Sequence, residues 1–463
     1  MEELKLSDDV IEQIKDFDHD RLTNEQSLLI DKLILDEELK ERYKNNGLCK
    51  KCKQPNIHYD WCQSCNAKYS QQNFKNWTSG NNEIDKFIQK AQLEAKNRRG
   101  FLEWIEYDRL ENGEYLAKED LQLFIKQFGK MVILNLGILK IINGKEVNLM
   151  AVMIELNIKI NSNRVTPCYG ITKNPESNNI MIVMYYAKNG SLRQHLNNSL
   201  NLMEWKTKVD ILKIIAQGLW DIHAKGLVHR DFHCGNILNL GDALTCITDL
   251  GLCRPANARP SQDECKKVYG VLPYVAPEVL RGKEYTQESD IYGFGIIAYE
   301  VCTGLPPYHD KAHDEFLAIS ICKGLRPKSD YKIPQLILDI IKQCWDADPS
   351  KRPKVDVLLK KLYDELYLSD DDKIVNEISK QVREANKSNE KLTTTSYLYT
   401  GTTLSCITNP QAVYTSRLLD FKSLPEPKNA IDNMGNDNLF NESYSVSIET
   451  IDFVDLNLDE ITE

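Results

Sequence analysis

The sequence lacks a hydrophobic run long enough to cross a bilayer, since no apolar stretch approaches the roughly 18 residues that a spanning helix needs. Its first residues, 1–5, are acidic and lack the apolar centre of a signal peptide. An excess of basic charge is missing too, because the net charge is −10, which disfavours wholesale binding to nucleic acid. We therefore expect an intracellular, cytoplasmic protein without a membrane partner, for which binding to nucleic acid is disfavoured.

The 13 cysteines of an intracellular protein are expected to be free thiols or metal ligands rather than disulfides. Four of them form two CxxC pairs separated by nine residues, Cys49 with Cys52 and Cys62 with Cys65. Each pair can hold one edge of a tetrahedral ion, and thiolates suit zinc. The spacing predicts a structural four-cysteine zinc module over residues 49–66. His58 lies between the pairs and is a spare ligand or, as we expect, a loop residue.

Helical patterns flank this module. Residues 1–48 read as a charged helical segment in which residues 23–26 (TNEQ) resemble a capping box. Residues 67–100 read as a polar linker followed by a helix that carries Ile84 and Ile88 on one side. The simplest expectation for both patterns is packing against neighbouring elements.

The central stretch carries motifs that point to chemistry. Residues 229–236 read HRDFHCGN, and such a loop alone occurs often by chance. It is followed by DLG at 249–251, VAPE at 275–278, SDIYGFG at 289–295 and CWDADPSKRP at 344–353. In this order and spacing, the motifs resemble the eukaryotic protein kinase superfamily over residues 101–367.

That resemblance implies roles for the residues of the motifs. In the HRDxxxxN loop, Asp231 would accept the proton of a substrate hydroxyl, and Asn236 would hold a metal ion. Asp249 of DLG would chelate the Mg²⁺ ion that bridges the phosphates of ATP. The structural residues implied by the motifs are His229, Arg230, Glu278, Asp290 and Arg352. Among these, Asp290 would brace the catalytic loop, Arg352 would pair with Glu278, and Arg230 would read a phosphate on the activation segment or pair locally.

The nucleotide pocket is matched less completely. The resemblance places Met184 at the back of the pocket, Ala187 in the hinge beside adenine and Leu238 on the pocket floor. Lys140, in a GILK stretch that resembles VAxK, is expected to order the phosphates together with Glu155, fifteen residues later.

A glycine-rich loop is missing at its expected place. One register puts it on residues 117–122, which contain no glycine, and a second uses residues 126–132 and retains Gly129. Glycine lets the backbone approach a phosphate closely, so both registers predict weaker ATP clamping. The alternative function is therefore a pseudokinase that acts as a binding scaffold.

Two departures from the usual sequence of Ser/Thr kinases bear on the class of substrate. His233 and Val271 stand where Ser/Thr kinases usually carry lysine and threonine, and the loop looks most like the tyrosine-kinase-like branch, whose members mostly modify Ser or Thr. We expect an ATP- and Mg²⁺-dependent kinase for Ser/Thr of protein substrates, with Tyr not excluded and with signalling partners. In the activation segment, which the resemblance places at residues 249–278, Ser261 and Tyr269 are candidate phosphorylation sites.

The predicted fold class is α+β. A bilobal kinase-like domain over residues 101–367, with a β-rich small lobe and a helical large lobe, follows the four-cysteine module. Residues 368–463 read as an acidic, largely disordered tail, since no Lys or Arg follows Lys428. Within it, the charged residues 369–390 are expected to form a few turns of helix. Within this tail, residues 412–419 (AVYTSRLL) form a local apolar island, which is a docking peptide or a chance cluster.

Overall fold

The structure, a computed structural model, describes most of the chain. The described residues are 5–109, 114–119, 122–127, 131–136, 154, 156–176, 178, 180–185, 187–198, 203–241, 244–256, 268–364, 372–397 and 408–429. Within these ranges, no helix combines the length and apolar character that a bilayer crossing demands.

The first helices form a small core of their own. They are α1 (Asp8–Ile14), α2 (Asn24–Leu33) and α3 (Glu37–Asn46). The predicted capping box is confirmed, because Thr23 and Gln26 exchange side-chain and backbone hydrogen bonds at the start of α2. Ile14, Ile30 and Tyr43 are almost fully buried between these helices. Burial raises the pKa of Tyr43 to about 12, and its hydroxyl donates to the Ile14 carbonyl at 3.0 Å.

Residues 67–100 do more than link two domains. The helix α4 (Gln63–Asn73) begins at the second CxxC pair, and α5 (Asn82–Glu94) follows after a short connection. Ile84 and Ile88 of α5 pack with Ile171 and Ile182, so this helix covers one face of the following sheet. The expected amphipathic helix is therefore part of the small lobe.

The small lobe is built on a six-stranded sheet in the order β1-β5-β6-β4-β3-β2. Its strands are β1 (Glu103–Trp104), β2 (Glu114–Glu119), β3 (Gln122–Gln127), β4 (Met131–Leu136), β5 (Cys168–Lys173) and β6 (Ile180–Tyr185). All neighbours are antiparallel except β1 and β5. The first register of the glycine-rich loop falls on the ends of β2 and β3. Gly129, Lys140 and Glu155 lie outside the described residues.

The large lobe is helical and holds the main core. Its helices are α6 (Leu192–Asn198), α7 (Trp205–His223), α8 (Pro277–Leu280), α9 (Gln287–Thr303), α10 (Glu315–Cys322), α11 (Gln335–Cys344) and α12 (Val355–Asp364). Three two-stranded sheets accompany them: β7 (Leu227–Val228) with β10 (Arg254–Pro255), β8 (Ile237–Gly241) with β9 (Leu244–Ile247), and β11 (Val268–Gly270) with β12 (Arg417–Leu419). The α9 segment from Ser289 to Thr303 is buried throughout, so this helix is the centre of the lobe.

The tail agrees with the expectation in one part and differs from it in another. The helix expected within residues 369–390 is present as α13 (Asp372–Tyr397), whose Asn386 accepts a hydrogen bond from the Trp205 indole at 3.0 Å. Residues 408–429, called the docked segment below, lie against the large lobe and bury Leu419 and Leu424 in its core. Disorder was predicted from polar composition, but a few apolar side chains suffice to hold a short segment when a complementary surface exists.

The predicted ion pair of the large lobe is present. Arg352 contacts the Glu278 carboxylate through two parallel hydrogen bonds of 2.7 and 2.8 Å, and both residues are buried. Such bidentate geometry is the strongest form of this contact. The pair ties the segment after β11 to the end of the lobe.

Replacing Arg352 by Met is expected to lower the free energy of unfolding by about 3–5 kcal/mol, because Glu278 would remain buried without its partner. Chemical unfolding of the full chain, followed by tryptophan fluorescence, measures the change. The matched control is Lys86→Met, which removes a pair with Glu83 whose partners are 64% and 77% exposed. This control should change stability by at most about 1 kcal/mol. Similar losses for both variants would contradict the assignment.

Candidate active site

The HRDxxxxN loop is held by a buried carboxylate from α9. Asp290 accepts hydrogen bonds from the backbone N–H groups of His229 at 2.7 Å and Arg230 at 3.1 Å. Its Oδ2 also lies 2.9 Å from Nε2 of His223, at the end of α7. One side chain thereby satisfies two backbone donors that the loop leaves unpaired.

The loop needs this support because its backbone is strained. Arg230 has φ +72°, a left-handed conformation that non-glycine residues rarely adopt. The turn at Arg230 places the next side chain, Asp231, in the interior, where it is 6% exposed. The Arg230 guanidinium lies 5.0 Å from the centre of the Tyr285 ring. Ser261, to which Arg230 could respond, lies outside the described residues.

Asp231 is surrounded by hydrogen-bond donors. Asn236 donates from Nδ2 to both the backbone oxygen and Oδ2 of Asp231, at 3.0 Å each. Nδ1 of His233 accepts the Gly235 N–H at 3.1 Å, so its Nε2 carries the hydrogen that faces Asp231 at 3.5 Å. Burial opposes ionisation of Asp231, but His233, together with the hydroxyl of Ser416, outweighs it and lowers the pKa to about 2.

Asp249 lies beside this group on the other side of a hairpin. Strand β8 begins directly after Asn236, and strand β9 ends directly before Thr248 and Asp249. The Thr248 N–H donates to the Asn236 carbonyl at 2.9 Å. Asp249 has φ +56° and accepts the Gly251 N–H at 3.1 Å. Burial, and then the charge of Asp231, raise the pKa of the Asp249 carboxyl.

These residues fit a hard cation. Two acids lie close enough for the charge of one to raise the pKa of the other, and carboxylate and amide oxygens are the ligands that Mg²⁺ prefers. Because the amide nitrogen of Asn236 donates to Asp231, the amide oxygen is the Asn236 atom that would act as ligand. Asp249 and Asn236 are thus the residues able to hold Mg²⁺.

The expected nucleotide-side residues lie where the two lobes meet. Met184 is at the end of β6 and is buried, as is Ala187, whose carbonyl accepts the Gly190 N–H at 3.0 Å. Leu238 lies in β8 and bridges to Ser191 at the start of α6. Their contact with a nucleotide stays a prediction.

A residue that the motifs do not predict reaches the catalytic loop. The hydroxyl oxygen of Ser416, in the docked segment, lies 2.5 and 2.6 Å from the two carboxylate oxygens of Asp231. The only sequence signal was the apolar island at residues 412–419, which indicated docking without a location.

The two CxxC pairs come together as predicted. The four cysteine sulfurs lie within 4.8 Å of one another, with Cys49 3.8 Å from Cys65 and Cys52 3.5 Å from Cys62. A tetrahedral zinc ion with Zn–S bonds of about 2.3 Å places its sulfurs about 3.8 Å apart, so the cluster fits this metal. The Lys51 N–H points at the Cys49 sulfur at 3.4 Å, as a donor to a thiolate would. His58 is exposed and is not a member of the cluster.

Comparison with known families agrees with this geometry. Residues 138–362 match the family model described as protein tyrosine and serine/threonine kinase. This matched stretch, just under half of the chain, contains the whole of the HRDxxxxN loop and the later motifs. The chain therefore contains a protein kinase domain.

Its relatives carry both kinds of kinase name. The chain is 35% identical over 191 residues to the probable serine/threonine-protein kinase roco5 of Dictyostelium discoideum, covering 37% of the chain and 6% of that protein. It is 29% identical over 217 residues to the tyrosine-protein kinase SPK-1 of Girardia tigrina, covering 44% and 42%. A protein kinase and PP2C-like domain-containing protein of Arabidopsis thaliana is 31% identical over 219 residues, covering 40% and 33%. The chain spans less than half the length of each.

Replacing Asp290 by Asn is expected to loosen the catalytic loop, because an amide offers one acceptor where the carboxylate serves two N–H groups. Charge-assisted hydrogen bonds contribute about 1.5–3 kcal/mol, so the amides of His229 and Arg230 should exchange roughly 10- to 100-fold faster. Hydrogen-exchange mass spectrometry of peptides that span residues 227–236 measures this. The control is Asp339→Asn, an exposed acid on α11. Unchanged exchange in Asp290→Asn would contradict the bracing role.

Proposed function

We propose that the chain is an ATP- and Mg²⁺-dependent protein kinase that transfers a phosphoryl group to Ser or Thr of protein substrates. The observation that carries the proposal is Asp231, a buried carboxylate of low pKa that already holds a serine hydroxyl. The kinase domain and the serine/threonine-kinase name of a relative support the activity. A relative named a tyrosine-protein kinase leaves Tyr as the alternative acceptor.

Each side chain has a separate task in this mechanism. Asp231 orients the substrate hydroxyl and accepts its proton as the hydroxyl oxygen attacks phosphorus. Asn236 fixes the carboxylate of Asp231 through its amide nitrogen, and His233 holds the same group from the other side. Asn236 and Asp249 would hold Mg²⁺, which, when bound, neutralises the phosphate charge. Lys140 with Glu155 would order the phosphates, and Met184, Ala187 and Leu238 would enclose the adenine.

The pseudokinase alternative was motivated by the missing glycine-rich loop. A scaffold that has lost catalysis has no need of an ionised base and two metal-ligand candidates, and Asp231, Asn236 and Asp249 are all present. No observation among the described residues favours the scaffold.

Replacing Asp231 by Asn is expected to lower phosphotransfer by at least about 100-fold, since a positioned base alone contributes 10²- to 10⁴-fold. Replacing Asp249 by Asn should also lower it, because Mg²⁺ would lose a carboxylate ligand and the phosphate charge would be neutralised less well. Incorporation of labelled phosphate from ATP into myelin basic protein measures the rate. The Asp356→Asn variant, which changes an exposed acid on α12, is the matched control and should behave as wild type. An ATP/Mg²⁺-dependent rise in melting temperature should be lost in Asp249→Asn. Equal rates for wild type and both variants, or no transfer by the wild type, would remove this function.

We also propose that Cys49, Cys52, Cys62 and Cys65 hold one structural zinc ion. The sulfur spacing and the N–H donor at Cys49 support this assignment. Four protein ligands leave no position open for a substrate, so the ion would stabilise the module without catalysing a reaction.

Replacing Cys49 and Cys52 together by Ser is expected to abolish zinc binding, while His58→Ala should retain it. Inductively coupled plasma mass spectrometry should give one zinc per wild-type chain. A strong chelator should lower the melting temperature of the wild type and leave that of the double-serine variant unchanged. Equal zinc contents in wild type and the double-serine variant would refute the site.

A further inference from the structure

The docked segment lies across the mouth of the kinase site and carries a serine into it. We propose that Ser416 is the phosphoacceptor of the chain's own active site, and that residues 408–429 form an intramolecular peptide substrate. This inference rests on the proposed function. It adds to that function a modification site and the chemistry by which the site recognises a peptide.

The first half of the docked segment is fixed by backbone hydrogen bonds. The Asn409 N–H donates to the His309 carbonyl at 2.7 Å, and the His313 N–H donates to the Gln411 carbonyl at 3.0 Å. The Val413 N–H donates to Nδ1 of His313 at 3.1 Å. Backbone contacts of this kind hold an extended peptide independently of its side chains.

One side chain supplies selectivity on this half. The ring of Tyr414, two residues before Ser416, packs edge-on against His313 with 4.8 Å between ring centres. The Arg193 guanidinium lies 4.3 Å from the centre of the same ring, and the tyrosine hydroxyl donates to the Pro307 carbonyl at 3.1 Å. A cation over an aromatic face in a partly buried site is attractive. The pocket therefore favours an aromatic residue two positions before the acceptor.

The second half continues the fold of the large lobe. Arg417–Leu419 form β12, which pairs antiparallel with β11, at the end of the activation segment. Leu419 is 4% exposed and belongs to the core of the lobe. Adding a strand to an exposed strand edge is a common way to bind a peptide. This pairing fixes the register, so the residue before β12 is the one that reaches the loop.

A further anchor follows the strand. Arg281 forms two hydrogen bonds with the Glu426 carboxylate, at 2.7 and 2.5 Å. The Ala347 N–H donates to the Asn429 side chain at 2.8 Å, and Leu424 is buried. Ser416 is thus held between anchors on both sides.

This position distinguishes Ser416 from its neighbours. Its hydroxyl oxygen contacts both carboxylate oxygens of Asp231 and lies 3.5 Å from Nε2 of His233. The adjacent hydroxyl, on Thr415, is exposed. A peptide that only blocked the groove would need no hydroxyl here, whereas an acceptor requires one at Asp231.

The group transfer balances with ATP as the donor. The Ser416 oxygen forms a bond to the γ-phosphorus, the bond from that phosphorus to the β-phosphate oxygen breaks, and its electrons leave with ADP. The hydroxyl proton goes to Asp231. The products are phosphoserine and ADP.

Two consequences follow. Because acceptor and base belong to one chain, transfer is first order and its rate constant does not depend on protein concentration. The phosphoserine then carries a charge of about −1.5 to −2 beside Asp231, and like-charge repulsion drives the central part of the docked segment out of the groove. Before transfer, the segment occupies the place of an external substrate.

The test uses the full chain with ATP and Mg²⁺, and phosphopeptide mass spectrometry of residues 408–429. Wild type should label Ser416 with the same rate constant over a 100-fold range of protein concentration. Ser416→Ala should lose this label, Ser416→Thr should keep it, and the exposed neighbour Thr415→Ala should behave as wild type. A ¹⁵N-labelled Asp231→Asn chain mixed with unlabelled wild type reports transfer between molecules, and its Ser416 should gain phosphate at least 10-fold more slowly than Ser416 of the wild type.

Labelling of myelin basic protein by wild type distinguishes failure of the intramolecular substrate from failure of the kinase function. If wild type labels the added protein but never labels Ser416, the intramolecular substrate is refuted and the kinase function stands. A rate constant proportional to concentration, or fast labelling in the mixture, refutes the intramolecular route. If no chain transfers phosphate to any acceptor, both proposals are refuted.

Discussion

The buried carboxylate of Asp290 is the contact on which the active site depends. It lies in the first turn of α9, where the helix dipole stabilises a negative charge, and α9 is the most deeply packed helix of the large lobe. From there it binds the backbone of His229 and Arg230 and touches His223 at the end of α7. The rigidity of the core is thereby transmitted to a loop whose own backbone is strained at Arg230.

The two acids of the site experience opposite environments. His233, and then the hydroxyl of Ser416, keep the pKa of Asp231 low in spite of burial, whereas burial and the nearby charge of Asp231 raise the pKa of Asp249. Ionised Asp231 can accept a hydrogen bond from a hydroxyl group, and a bound cation would stabilise the ionised form of Asp249. In the proposed mechanism, these two environments would separate the role of base from that of metal ligand.

Chemistry-bearing residues were the most predictable part of the protein. The cysteine cluster followed from residue types at a fixed spacing, and the Arg352–Glu278 pair and the bracing by Asp290 followed from motifs that resemble the protein kinase superfamily. Each of these contacts tolerates few alternatives, so the motif implies the geometry. The capping box at Thr23 was predictable for the same reason, since its hydrogen bonds are local.

Contacts that depend on shape were not predictable. The three N-terminal helices share a core of ordinary apolar residues, and nothing in their pattern distinguishes one charged helical segment from a packed domain. Likewise, residues 412–419 showed that apolar groups were available for burial, but Ser416 and Asp231 are 185 positions apart in the chain. Their meeting is set by the surfaces of His313, β11 and Arg193, which no local pattern encodes.

Magnitudes indicate how far the docked segment would move after phosphorylation. Burying Leu419 and Leu424 contributes about 3–6 kcal/mol together, at about 1.5–3 kcal/mol for each leucine. Repulsion between a phosphate and the Asp231 carboxylate is about 4 kcal/mol per unit charge at a separation of about 4 Å and an effective dielectric constant of about 20. The repulsion therefore equals or exceeds the burial energy of these leucines, but it acts on Ser416 and declines with distance.

Residues next to Ser416 leave first, while the Arg281–Glu426 pair and Leu424 keep the end of the segment attached. The groove opens to another peptide without loss of the intramolecular tether.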